Sequence, residues 1–221
     1  MMNKFEHSQK PFEKDIPNTQ RLTRNFFMRD SVVVAPSLLG KHLISTIDGK
    51  LTIGRIVETE AYPGDDPASH VYNRSVTKRT RVQYGQAGIA YVYGIRGYTL
   101  FSIVTGEEGV ADLVFISAVE PLYGIDVMSQ RRGDKQVSLD LTNGPAKLCK
   151  AFGISTILHG VDICSYESPV FTTEGHYHNI SYKCGPRINI GVSNAKELDK
   201  DISIKQPWRF YIPESLYLRR R

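Results

Sequence analysis

The sequence predicts one α+β domain, and three observations predict it. An alternating run from Lys41 to Glu60 is broken once, at Asp48-Gly49, which is the pattern of two paired strands. Three more runs rich in β-branched and aromatic residues follow, at 90–93, 99–105 and 113–119, and helical spacing returns only after them. The 221 residues show no internal repeat and no second compositional region, so a single domain accommodates them.

Residues 1–20 are polar, lack periodicity and contain Pro11 and Pro17, which predicts a disordered leader ahead of a domain at 21–221. Phe26 and Phe27 precede an apolar stretch from Ser31 to Leu39, a helix either interrupted or started at Pro36. The strand pair comes next, with Asp-Gly supplying the positive φ angles of a tight turn. On its second strand Ile56, Glu58 and Glu60 share one face, and Arg55, Val57 and Thr59 the other. AYPGDDPASH then leaves the strand as a loop. Residues 73–89 form a basic, glycine-containing connection suited to phosphate contact, although the same composition also describes a solvated surface loop.

The strand at 113–119 is expected to end at Pro121. A helix follows through Leu122, Ile125 and Met128, and another is N-capped by Asn143, carries Pro145 in its first turn and stops at Gly153. The remainder reads as short strands and loops to Trp208–Tyr211, and Arg219, Arg220 and Arg221 close the chain.

Composition narrows the function classes. No run approaches the roughly 18 apolar residues of a membrane span, and the first fifteen residues lack the apolar core of a secretory signal, so an intracellular protein is expected. Cys149, Cys164 and Cys184 cannot all pair and none lies in a CxxC spacing. His176 and His178 with Cys184 match no zinc pattern, and polar loop histidines beside a thiol account for them; no metal is expected. A net charge of +5 favours a polyanionic partner without identifying one.

Five segments in order carry more. RIVETEAYPG (55–64), AYVYG (90–94), SAVEPLYG (117–124), GPAKLCKAFGI (144–154) and PWRFYI (207–212) together resemble the 3-methyladenine (alkyladenine) DNA glycosylase family, from about Arg21 onward. The resemblance implies an α+β domain around a curved antiparallel sheet, similar to the C-terminal domain of methionyl-tRNA formyltransferases. It implies a monomer that binds damaged double-stranded DNA, flips out an alkylated or deaminated purine and hydrolyses its bond to deoxyribose. No cofactor is implied.

The resemblance also assigns residues. Glu60 matches the general base that activates water, while Glu58, on the same face, is expected to be structural and to pair with a basic side chain. Tyr62 and Tyr93 match the two aromatic residues around the flipped base, where a cationic purine gains from electron-rich rings. His70, after a one-residue shortening of the loop, matches a histidine of the same pocket. Arg74, Lys78, Arg79 and Arg81 are candidates for the DNA backbone.

Three positions depart from the family pattern. Arg96 stands where a tyrosine wedge is usual, and its planar guanidinium could stack in the vacated helix. Ile103 stands where an asparagine screens purines at the 2-position, with Ser102 taking that place if the alignment slides by one residue. Ser117 replaces an arginine near the attacking water and sugar, which removes a charge from the site. These departures keep open a damaged-DNA-binding homologue with weakened hydrolysis, and the formyltransferase likeness keeps open an RNA-binding module.

Overall fold

The computed structural model describes residues 20–133, 138–175, 180–192 and 195–219. His176, His178, Arg220, Arg221 and most of the expected leader lie outside these residues.

Strand β2 (Thr52–Tyr62) organises the sheet. Along one edge it pairs with β5 (Asp112–Tyr123), and along the other first with β1 (His42–Ser45) and then with β8 (Arg209–Tyr211). The exchange of partners falls at Ile56 and Val57, where Ile56 bonds to Lys41 and the carbonyl of Val57 accepts from Ile212. With β3 (Ala90–Ile95), β4 (Tyr98–Thr105) and β6 (Val170–Thr173), the main order is β3-β4-β5-β2-β1-β6, while β7 (Lys183–Gly185) adds to β8. Every pairing is antiparallel. Irregularities in the β2–β5 register flank Glu58, and they set how Glu58 and Glu60 are presented further along.

Five helices accompany the sheet among the described residues: α1 (Arg24–Phe27), α2 (Ser31–Ser37), α3 (Ile125–Arg132), α4 (Pro145–Phe152) and α5 (Glu197–Lys205). Asp30 caps α2 by accepting from the Val32 N–H at 2.7 Å, and Pro36 is carried in the last turn. α4 ends in a Schellman-type closure at Gly153 (φ 72°), with Gly153 bonding to Lys150 and Ile154 to Cys149. α2, α3 and α4 cover one sheet face through Val34, Leu38, Met128, Leu148 and Phe152, which join Ile56, Phe101 and Ile116 in one core. Burying an aliphatic or aromatic side chain of this kind contributes about 1.5–3 kcal/mol.

Four local expectations are corrected. The β1–β2 connection spans residues 46–51 as a short 3-10 turn, although Asp48 and Gly49 do adopt positive φ (59° and 66°). Pro121 does not end β5, which runs on to Tyr123: the proline faces Gly54 where the register shifts, and a missing N–H is tolerated there. Gly144, not Asn143, caps α4, because the Asn143 side chain is taken by Asp140 and Lys147. The helix α5 was not expected. It leaves Leu198 and Ile202 exposed and buries only Ser203, so it lacks the apolar stripe that marks a helix in sequence.

Gly54 marks the closest approach of β2 to its neighbour. A Cβ there would lie 2.3 Å from Val119 Cγ1 and 2.9 Å from the carbonyl oxygen of Glu120. Gly54→Ala is expected to destabilise the domain by about 1–3 kcal/mol, measured as a lowered denaturation midpoint with an unchanged m-value.

Candidate active site

A cavity of about 870 Å³ opens where the ends of β2, β3, β4 and β5 meet the loop after β2, the start of α4 and residues 188–192. Glu60, Tyr62, His70, Arg74 and Tyr93 line it together, although 33 residues separate Glu60 from Tyr93.

Glu60 is fully buried in its wall. Its Oε1 accepts from the backbone N–H of Ile188 at 2.9 Å, and its Oε2 from the Tyr62 hydroxyl at 2.8 Å. Burial pushes the carboxyl above the ordinary carboxylate range; those two hydrogen bonds and the nearby Arg219 guanidinium act against it, and Glu58 acts with it. Each oxygen retains acceptor capacity for a further hydrogen bond. Burial, with the Glu60 charge beside it, holds the Tyr62 phenol well above its usual range and so keeps it a donor.

Antiparallel pairing of β3 and β4 sets the opposite wall. Tyr91 lies across from Ser102 and Tyr93 across from Leu100, and all four face the cavity. Ile103, one residue on, faces the other way and is wholly buried in the core, so Ser102 and not Ile103 lines the cavity. His70 packs edge-on to Tyr93 with ring centroids 4.7 Å apart, and its Nδ1 is 2.9 Å from the Tyr91 hydroxyl. Desolvation, followed by the charges of Arg79 and Arg74, lowers its pKa to about 4, so the imidazole is neutral at pH 7. Burial also raises the Tyr93 phenol.

Ser117 does not reach the cavity. It follows Phe115 on the same face of β5 but one step further from the opening, where it donates to Glu58 Oε1 at 3.1 Å. Glu58 also receives Nε and Nη2 of Arg209, at 2.9 and 3.2 Å, and the Arg219 backbone N–H at 2.9 Å. Glu58 is thus a structural anion paired with a basic side chain, and Arg209 lies directly across from Glu60 in the β2–β8 register.

Arg96 occupies the tip of the β3–β4 turn with Gly97. Both have positive φ (49° and 80°), as a two-residue hairpin turn requires. Holding a non-glycine residue in that region costs about 1 kcal/mol or more, and strain of this kind clusters where ligands are gripped. Arg96 is exposed between Ile95 and Tyr98, which are 47% and 62% exposed and both line the cavity mouth. Arg74, Lys78, Arg79 and Arg81 are all exposed around a short 3-10 turn at Thr80–Tyr84, and the Arg79 guanidinium lies 5.9 Å from the Tyr93 ring.

Arg187 went unrecognised in the sequence. Its side chain is wholly buried, pairs with Asp66 at 2.9 Å and bonds to the carbonyls of Ala61 and Ser203. The same guanidinium stacks over Tyr62 at 4.6 Å and over Trp208 at 5.0 Å. No spacing signal links Arg187 to a tyrosine 125 residues earlier. Among the described residues no group of three or more histidine, cysteine, aspartate or glutamate residues could hold a metal.

The family pattern of methylpurine-DNA glycosylase (MPG) matches residues 25–216, most of the chain. This chain belongs to that family. It is 40% identical over 210 residues to a protein of Alkaliphilus oremlandii (strain OhILAs), covering 91% of this chain and all of the relative. A protein of Desulfitobacterium hafniense (strain Y51) is 41% identical over 208 residues, and one of Clostridium botulinum (strain Hall) 39% over 207; each covers 90% of this chain and 98% of the relative. All three carry 3-methyladenine DNA glycosylase in their names. The protein is accordingly a DNA glycosylase, with DNA as its substrate class and DNA repair as its setting. No helix among the described residues is long and apolar enough to cross a membrane.

Proposed function

We propose that this glycosylase flips an alkylated purine out of duplex DNA into the 870 Å³ cavity and hydrolyses its N-glycosidic bond with Glu60 as the general base. The observation that carries this reading is the buried carboxylate of Glu60, oriented at both oxygens, in the wall of an aromatic pocket. Glu60 takes a proton from water as the water oxygen attacks C1′; the bond to the purine nitrogen breaks and its electron pair leaves with the base. The carboxylate also opposes the positive charge that develops on the sugar.

Tyr62 and Tyr93 supply the stacking surfaces, and His70, which borders them, is neutral and adds no positive charge against a cationic base. A purine alkylated at N3 or N7 already bears positive charge and departs neutral. A deaminated purine must gain a proton as it leaves, so hypoxanthine is expected to be excised, but more slowly. Ser102 borders the base, Arg96 enters the vacated stack, and the product is an intact strand with an abasic site. The protein acts as a monomer in this reading, without metal or organic cofactor.

Duplexes bearing a methylated purine, ethenoadenine or hypoxanthine, incubated with the protein and then treated with alkali, test the reaction. Strand breaks at the lesion, ranked with the cationic base first, are the expected result, and no breaks on any lesion would end the reading. The basic loop has its own test. Affinity for undamaged duplex should fall steeply with salt, and replacing Lys78, Arg79 and Arg81 with alanine should lower the slope of log K against log salt by about one for each phosphate no longer neutralised. An unchanged slope would remove the loop from the interface.

A further inference from the structure

We infer that Arg219 is a positioning residue for hydrolysis, supplying from the segment after β8 the positive charge that fixes Glu60 and its attacking water. The inference rests on the general-base reading of Glu60, and Arg219 itself lies beyond residues 25–216 that the family pattern covers.

The geometry is specific. After β8 the chain is held down in steps: Ile212 bonds to Val57, the Tyr217 side chain is buried in the main core, and the Arg219 backbone N–H donates to Glu58 Oε2 at 2.9 Å. This docking turns the guanidinium into the cavity, where Nη1 is 3.9 Å from Glu60 Oε1 and donates to the carbonyl of Ile188 at 3.3 Å. Arg219 therefore holds the carbonyl of the residue whose N–H holds Glu60. Its side chain is 19% exposed, so the charge borders the cavity with only partial solvent screening.

The other groups around Glu60 do not fill this role. Arg209 on β8 is occupied by Glu58, and Arg187 beside Ile188 is paired with Asp66. Tyr62 and Ser117 are uncharged; Glu58 on the same strand and Tyr93 on β3 bring no positive charge, and His70 in the loop is neutral at pH 7. A cation within about 4 Å of a carboxylate typically lowers its pKa by one unit or more, so Arg219 opposes the effect of burial and favours the ionised form of the base.

The test uses Arg219→Met, Arg219→Lys and Glu60→Gln in the full chain under single-turnover conditions from pH 4 to 9. Every Arg219 variant retains the backbone N–H that binds Glu58, so that tie does not depend on the guanidinium. Arg219→Met is expected to cut the excision rate at neutral pH by about ten-fold and to move the acid limb up by about one pH unit, and Arg219→Lys to restore most of both. Carboxyl ¹³C titration of glutamate-labelled protein, with Glu60 assigned from the resonance missing in Glu60→Gln, should show the same upward movement without turnover. A rate, acid limb and Glu60 titration unchanged in Arg219→Met, with excision lost in Glu60→Gln, would overturn this inference and leave the general-base reading standing. Excision that survives Glu60→Gln would overturn both.

Discussion

Glu60→Gln should reduce excision of a methylated purine by about 10²–10⁴-fold while binding of lesion-containing duplex is retained. The amide is nearly isosteric: its oxygen can still accept from the Ile188 N–H, and its NH2 group can donate to the Tyr62 oxygen once that hydroxyl turns, so the cavity keeps its shape. What it loses is the ability to take a proton from water and to oppose charge on the sugar. Glu60→Asp separates these losses from simple misplacement: it keeps the charge but withdraws it by one methylene, and a displacement of about 1 Å costs on the order of 10²-fold. The pH profile adds an independent reading. The ionised form is the active one and burial raises the folded-state pKa, so the rate should fall on the acid side with a midpoint above the ordinary 4.5 of a glutamate. His70 titrates near 4 and its protonation can contribute only at the lower end. A rate that is flat through the acid range, or a Glu60→Gln variant with the parent's rate, would show that another group activates the water.

Much of the architecture was legible because it rests on local periodicity. Alternation marked β1 and β2, runs of β-branched and aromatic residues marked β3 to β5, and Gly153 ended α4 where a left-handed residue was needed. Among the lining residues, Glu60 and Tyr62 share a face of β2, and Tyr93 shares a face of β3 with Tyr91, whose place in a strand reads as sheet packing although it also lines the cavity. Ile103 shows how narrow that legibility is. A one-residue slip exchanges the two faces of a strand, and cross-strand register alone places Ser102 at the cavity. Ser117 shows a different limit, since both the cavity and the Glu58 cluster lie on its face of β5, and only the β2 irregularities decide which it meets. The arginines were not legible at all. Arg187, Arg209 and Arg219 reach their partners across 121, 151 and 161 residues of chain, and no spacing encodes a contact at that distance.

Arg187 is expected to have the largest effect on stability of any residue near the cavity. Its guanidinium and the Asp66 carboxylate are removed from water, at 0% and 2% side-chain exposure, and Ser203 donates to the same carboxylate. Arg187→Met retains much of the apolar stem but leaves Asp66 as a buried charge without its cation, which should cost about 3–5 kcal/mol in chemical denaturation. The pair ties Ala61 of β2, the loop at Asp66 and Ser203 of α5 to one planar group, so the damage is not confined to one element. Arg187→Lys keeps the charge but cannot serve three acceptors while stacking on Tyr62 and Trp208. Its stability loss should be smaller, and its defect should show as weaker binding of the flipped base because Tyr62 loses its backing. Pairing Arg187→Met with Asp66→Asn discriminates the cause: removing the orphaned charge should recover part of the stability, giving a coupling energy that two independent losses would not. Additive losses in that double-mutant cycle would show that Arg187 acts by packing alone.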